Sequence, residues 1–371
     1  MDPVAPERPR WPRWLGRSLA LPTAAILGAA GTVALALGRG DLSAWGWLYA
    51  LEALALAAAL TTVGTSRGMG RWRRLLRGAA PGLLVLLVTT RIVAFGGSHA
   101  TQLIVLNRDG RVVSTARFVD RLFEERDAAL VGSRLLVALG AVPAPEFPTL
   151  PELLRRSYPA GEQEGPRLGT PVPTTLLDGQ RPDAFDAIVV RLRPEDAPAV
   201  PLGIVFLHGF AGNFALQCLE VARSARAVGA LTVCPSTTFD GRWAEPAGEA
   251  TVRASIAYLE AEGAQRIVLA GISAGAIGAS QLAPRLDAAL DGMVLLSGVS
   301  SRAATPRVPT LLVHGDHDAM VHTARVRAWA HEHPGVRYRE LPGTHFVLLE
   351  QRADIASELT EFLREVTRSE R

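Results

Sequence analysis

The 371 residues leave room for one large domain or two smaller units, and the 48% hydrophobic content is concentrated in the first hundred positions. A formal charge of +3, with no arginine-rich stretch interleaved with stacking aromatics, gives no reason to expect nucleic acid as a partner. All 39 basic residues are arginine, which excludes Schiff-base lysine, pyridoxal phosphate and P-loop chemistry.

Three apolar stretches come first. Residues 19–38 run without a charge and are long enough to cross a hydrocarbon core of about 30 Å. The second stretch, 42–64, carries Glu52 near its middle, and the third, 79–97, is interrupted by Arg91. A cleaved signal peptide accounts for the first stretch but not for the two that follow, so a membrane anchor is expected over residues 1–97. Arg8, Arg10, Arg13 and Arg17 precede the first stretch, and Arg67, Arg71, Arg73, Arg74 and Arg77 separate the second from the third. The intervening turn holds only Arg39 beside Asp41. Both basic segments are therefore expected in the cytoplasm, and three crossings place everything after residue 97 on the extracytoplasmic side. Two crossings would leave it in the cytoplasm. Glu52 and Arg91 are expected to pair, since each charge alone costs about 2.5–3.5 kcal/mol to insert.

Residues 98–173 announce no known module. The stretches 101–106 and 111–114 read as short strands around the turn Asn107-Arg108-Asp109-Gly110, and apolar residues recur at helical spacing from 116 to 139. Pro143, Pro145, Pro148 and Pro151 then break the chain. The expectation is a connecting segment with a small helical packing element, or an element that covers a pocket.

Residues 174–371 carry the clearest alternation of elements. Strands are expected at 187–191, 203–207, 231–234, 266–270, 292–296, 310–313 and 336–340, with helices at 214–228, 249–262, 274–286, 323–333 and 352–364. This alternation predicts an α/β class fold, a mostly parallel sheet covered by helices on both faces. Runs such as Ile-Val-Phe-Leu and Ile-Val-Leu-Ala suit strands buried on both sides.

Gly271-Ile272-Ser273-Ala274-Gly275 lies between an expected strand and an expected helix. G-x-S-x-G in that setting is a sharp turn whose small flanking residues let Ser273 project above the sheet as a nucleophile. An earlier strand exits into His208-Gly209-Phe210-Ala211-Gly212-Asn213. In this arrangement the backbone N–H groups of Phe210 and Ala274 form an oxyanion hole, His208 shapes the loop, and Asn213 caps the next helix. A serine hydroxyl needs an adjacent base, and His345 follows a strand end in Leu341-Pro342-Gly343-Thr344-His345. The acid falls in His314-Gly315-Asp316-His317-Asp318, in the chain order Ser, acid, His. Near His314, His317 and His322 only Asp316 and Asp318 could complete a tetrahedral metal set, and these have a better use in the acid loop, so neither metal nor cofactor is expected.

With these motifs, residues from about 187 to 364 resemble the α/β-hydrolase family of serine hydrolases, including lidless esterases and dienelactone hydrolase-like enzymes. The latter usually carry Cys where this chain has Ser273. The family's G-x-x-D-x-x-V acid turn selects Gly315, Asp318 and Val321, which implies Asp318 as the acid, with Asp316 as the alternative. Only about a dozen residues separate the strands ending at 296 and beginning at 310, too few for the helical lid that many relatives insert there. An open site suits short or bulky esters unless residues 98–173 cover it.

The implied activity is that of a membrane-anchored carboxylic ester hydrolase acting on a small-molecule or lipid-like ester. The same triad serves acyltransferases, thioesterases and peptidases, and a non-catalytic membrane receptor or scaffold is the rival from another class. Oligomeric state is left open. Cys218 and Cys234 fall on consecutive elements near one sheet edge, which permits either a disulfide or two buried thiols.

Overall fold

A computed structural model describes residues 13–38, 40–65, 71–94, 100–146, 149–162, 169–192 and 200–369. The chain divides into two units, Met1–Val93 and Ala94–Arg371.

The first unit is helical: α1 (Arg13–Gly38), α2 (Ala44–Thr65) and α3 (Arg71–Ala94). Two stretches, Ala20–Gly38 and Ala44–Thr61, are long and apolar enough to cross a membrane, while α3 carries a shorter apolar run, Ala79–Val93. Helix α3 begins well before that run, because arginine is a good helix former and extends the helix through Arg73, Arg74 and Arg77. Close approach of α1 to α2 depends on Gly31, where a Cβ would stand 2.8 Å from the Ala50 carbonyl oxygen. Glu52 and Arg91 are both buried. Their expected pairing does not form as a hydrogen bond, for the Glu52 carboxyl oxygens take none. The Arg91 guanidinium instead lies 6.0 Å from the ring centre of Trp45, within reach of the ring's negative face. Arg8, Arg10, Arg39 and Arg67, on which the expected orientation partly rests, lie outside the described residues, as do 95–99 at the end of the third stretch.

The second unit is built on a nine-stranded sheet. It opens with β1 (Thr101–Leu106), β2 (Val112–Thr115), α4 (Glu125–Ala138), α5 (Thr149–Glu162), α6 (Val172–Leu177) and β3 (Phe185–Arg191). Then follow β4 (Gly203–Leu207), α7 (Ala215–Ala225), β5 (Leu231–Pro235), α8 (Pro246–Ala261), β6 (Ile267–Ile272) and α9 (Ala274–Leu286). The chain closes with β7 (Gly292–Leu296), β8 (Thr310–Gly315), α10 (Thr323–Glu332), β9 (Val336–Leu341), α11 (Val347–Glu350) and α12 (Arg352–Arg368).

The strand order is β2-β1-β3-β5-β4-β6-β7-β8-β9. From β5 to β9 all neighbours are parallel; β3 runs antiparallel to both β5 and β1. Side-chain alternation explains the two covered faces. Ile204 and Phe206 join one core with Leu216 and Phe362, whereas Val205 and Leu207 join the other with Val252 and Leu282. Both faces are covered over β4 to β8, so these strands read as largely apolar runs, whereas the edge strand β9 carries Arg337, Arg339 and Glu340.

The described residues between 100 and 173 pack as part of the second unit. Strands β1 and β2 extend the main sheet, joined through the Asn107 turn, where the Asn107 side chain accepts the N–H groups of Asp109 and Arg111 at 3.0 Å. Helices α4 and α5 contribute Leu130, Leu154 and Tyr158 to the same core as α7 and α12. Asn213 does not cap α7. Its side-chain amide donates to the Cys234 carbonyl at 2.7 Å and to Ser236 Oγ at 3.0 Å. The first N–H groups of α7, on Ala215 and Leu216, are taken by the Glu125 carboxylate at 2.5 and 2.8 Å. That carboxyl also accepts from the Tyr158 hydroxyl, and burial pushes its pKa up to about 7. Cys218 on α7 and Cys234 on β5 form a disulfide, with Cα atoms 6.1 Å apart.

Candidate active site

Strand β6 ends at Ile272, and Ser273 takes the turn into α9 with φ of +53°. That left-handed conformation is disfavoured for a residue with a Cβ and is held by its surroundings. Ser273 N–H donates to the Leu296 carbonyl at 2.9 Å. A Cβ on Gly271 would meet Gly275 backbone at 2.5 Å, and one on Gly275 would strike the Leu207 carbonyl. Glycine at both positions is thus a steric requirement of the turn. Among the described residues, the non-glycine positions with positive φ are Ala211, Ser273 and Ser297. Ala211 follows the candidate oxyanion residue, and Ser297 follows the strand residue that binds Ser273 N–H. Backbone strain therefore gathers around one point, as it does at functional sites.

The side chains named from the sequence converge there. The Ser273 hydroxyl donates to His345 Nε2 at 2.8 Å, and His345 Nδ1 donates to Asp318 Oδ2 at 2.8 Å. Asp318 Oδ1 accepts the N–H groups of Met320 and Val321 at 2.8 and 2.7 Å, which fixes the carboxylate's orientation. Asp316 points elsewhere. It accepts Gly343 N–H at 2.9 Å and pairs with His317 Nδ1 at 2.6 Å, so it ties the acid loop to the turn before His345. The Gly343 N–H, followed by His317, holds its pKa below the ordinary carboxylate range. His314 is buried and donates from Nε2 to the Val321 carbonyl at 2.9 Å; burial depresses its pKa.

The loop after β4 lies against Ser273, since a Cβ on Gly209 would be 3.1 Å from Ser273 Cβ. His208 orients this loop. Its Nδ1 donates to the Gly209 carbonyl at 2.7 Å, and its Nε2 accepts Thr237 N–H at 3.2 Å. Burial pushes its pKa down to about 4, so the ring stays neutral and both bonds persist. In a trans peptide the C=O and the next N–H point oppositely. Pinning the Gly209 carbonyl toward His208 therefore turns Phe210 N–H the other way. Among the described residues no protein acceptor engages the N–H of Phe210 or Ala274. Trp243 Nε1 completes the support by donating to the His208 carbonyl at 2.9 Å.

One participant had no signal in the sequence. Glu146, buried in a short 3-10 turn (Ala144–Glu146), accepts Ala319 N–H at 2.8 Å and His345 N–H at 3.1 Å. A single carboxylate thus holds the loops of both Asp318 and His345.

A cavity of about 560 Å³ opens beside Ser273 and His345. Its walls come largely from α4, α5 and α6, with Phe210, Phe214 and Leu349 from the sheet's own loops and helices. The link between β7 and β8 contains no lid helix. Cover comes from upstream, the condition under which the open-site expectation lapses.

The strand order with its reversed β3, and the site at the carboxyl ends of parallel strands, make this an α/β-hydrolase fold. No protein-family model and no curated protein matches the chain. Similar solved structures include a lidless α/β serine hydrolase from Xanthomonas campestris, 19% identical, covering 51% of this chain and 92% of its own, with a TM-score of 0.41. Est1E from Butyrivibrio proteoclasticus is 18% identical, over 50% of this chain and 96% of its own, with a TM-score of 0.41. A predicted CIB-like hydrolase from Thermoplasma acidophilum is 18% identical, over 49% and 93%, with a TM-score of 0.40.

Proposed function

We propose that this chain is a membrane-anchored serine hydrolase that cleaves carboxylic esters through an acyl-enzyme. The observation that carries the reading is the unbroken relay from Asp318 through His345 to Ser273, with 2.8 Å at each step. In this reading His345 Nε2 takes the hydroxyl proton as Ser273 Oγ bonds to the ester carbonyl carbon. Phe210 and Ala274 N–H groups receive the oxyanion, each such donor being worth about 2.7–4 kcal/mol in related sites. The C–O bond then breaks, and the alcohol leaves with the proton from His345. Water, deprotonated by the same imidazole, attacks the acyl-enzyme and releases the acid and free Ser273. Asp318 stays ionised and stabilises the imidazolium at both stages. Neutral His208 holds the oxyanion loop without competing for protons.

The anchor rests on the two long apolar stretches of α1 and α2 and on the shorter one of α3. The arginine asymmetry favours three crossings, with the hydrolase unit outside the cytoplasm. The Cys218–Cys234 disulfide suits an oxidising compartment. A reporter fused after residue 97 tests the topology: activity confined to the extracytoplasmic side is expected, and a cytoplasmic signal reverses the assignment. A fluorophosphonate probe tests the chemistry on the full chain. Labelling that disappears in Ser273→Ala is expected; labelling that persists there, or never occurs, removes the nucleophile assignment.

A further inference from the structure

Resting on that hydrolase reading, the geometry points to a substrate class: we infer that the enzyme prefers esters carrying an extended hydrocarbon chain over acetates and compact aromatic esters. At about 560 Å³, the cavity falls within the roughly 300–1,000 Å³ typical of pockets that enclose a whole small ligand. Among the described residues its lining carries no carboxylate or guanidinium, and His345 is the one ionisable side chain there besides tyrosine. Polar lining groups beyond the triad are few, and two of them are already engaged. The Tyr158 hydroxyl donates to Glu125 at 3.1 Å, and the Ser133 hydroxyl donates to the Leu130 carbonyl at 3.0 Å. A polar or branched, hydroxyl-rich group would lose its water in this pocket and find few partners, which costs free energy. A hydrocarbon chain gives up no hydrogen bonds to water on entry.

Shape agrees with chemistry. Helix α4 presents Ala128, Ala129 and Gly132 to the cavity, and a Cβ added at Gly132 would meet open space. Small residues on this wall leave room along α4 for a slender acyl chain. The mouth is apolar too. Phe123, Leu135, Leu176, Leu177 and Phe210 line the cavity and yet stand exposed, with Leu176 and Leu177 at 62% and 76%. Exposed apolar side chains at a pocket entrance fit a ligand that arrives with its own apolar surface.

The test is a chain-length series of p-nitrophenyl esters, from acetate through butyrate and octanoate to laurate, on the full chain in lipid nanodiscs. Each methylene buried in the transition state should raise kcat/KM by up to about fourfold until the cavity is filled. Acetate to octanoate should therefore span at least about a hundredfold. Gly132→Trp, which places bulk in the open space, should cut the laurate-to-acetate ratio of kcat/KM by roughly tenfold or more. A flat or falling series in a protein whose Ser273 is labelled by fluorophosphonate overturns the substrate class and leaves the hydrolase reading standing. An unchanged laurate-to-acetate ratio in Gly132→Trp overturns the placement of the chain along α4. Absence of both labelling and ester hydrolysis is instead a failure of the hydrolase reading itself.

Discussion

The Glu146 carboxylate accepts the backbone N–H of His345 at 3.1 Å, and its other contact is the N–H of Ala319 at 2.8 Å. Ala319 directly follows Asp318, so one buried side chain sets the spacing between the loops of acid and base. Replacing it with alanine strands the buried N–H of His345 and the half-buried N–H of Ala319, which costs up to about 1–3 kcal/mol of stability per group. The larger effect falls on geometry. Displacement of a triad member by about 1 Å lowers turnover by around a hundredfold, and that is the fall in kcat expected for Glu146→Ala, with KM little changed. Glu146→Gln keeps one acceptor oxygen and should recover part of the loss. Stability loss without the kcat loss would reduce Glu146 to a structural residue.

Ser273→Ala should lower turnover by at least about 10⁴ and leave the fold intact. The two aspartates of the acid loop give a sharper comparison. Asp318 meets His345 Nδ1 at 2.8 Å, whereas Asp316 binds Gly343 N–H and His317. Asp318→Asn should therefore cost on the order of 10⁴ in kcat, since it favours the wrong tautomer of the base. Asp316→Asn should cost tenfold or less, roughly, because it only loosens the turn before His345. The reverse ranking, measured on one ester, moves the acid role to Asp316.

What could be read from the sequence was what is local in the chain. Each strand from β4 to β8 is a short, largely apolar run because both sheet faces are covered, and each announces itself alone. Ser273 is legible because the steric demand of the turn falls on its neighbours Gly271 and Gly275. Glu146 and Glu125 could not be read in this way. Their partners lie 173 and 90 residues away, and an isolated glutamate, in a helical stretch like Glu125 or among prolines like Glu146, looks the same whether solvated or buried. Asn213 misled for a related reason. Its type and position before a helix suit a cap, but Glu125 reaches the same N–H groups from another part of the fold. The upstream helices are likewise apolar at helical spacing, a pattern that reports burial without saying that one face borders a cavity.

His208 gives the structure a pH signature. Burial holds its pKa near 4 in the folded protein, against 6.5 ordinarily. Between those values the unfolded chain binds a proton that the folded chain refuses, so stability falls as pH drops through this window. The full shift corresponds to about 3 kcal/mol, and buried His314 acts in the same direction. His208→Asn forfeits the bonds to Gly209 and Thr237 but also removes the titration. Denaturant midpoints should show the gap between wild type and variant widest near neutral pH and narrowing toward about pH 4. A gap independent of pH would mean that His208 is not held neutral by the fold.

The disulfide joins covalent structure to compartment. Cys218 sits on α7, the helix that follows the loop after β4, and Cys234 lies near the end of β5, both fully buried. Their Cα separation of 6.1 Å lies inside the roughly 4.4–6.8 Å that a bridge requires. With 16 residues of sequence separation, the chain-entropy account assigns the bridge about 3 kcal/mol of stability. A double Cys218→Ala, Cys234→Ala variant avoids a lone buried thiol, and its denaturant unfolding should report a loss of about that size. The triad does not include either residue, so ester turnover well below the melting temperature should survive. Thiol titration of the unfolded, unreduced protein should find no free thiol when the chain is purified from membranes of its native compartment. Two free thiols there would show that the hydrolase unit matures under reducing conditions. The three-crossing topology would then rest on the arginine asymmetry alone, and the residue 97 reporter would decide it.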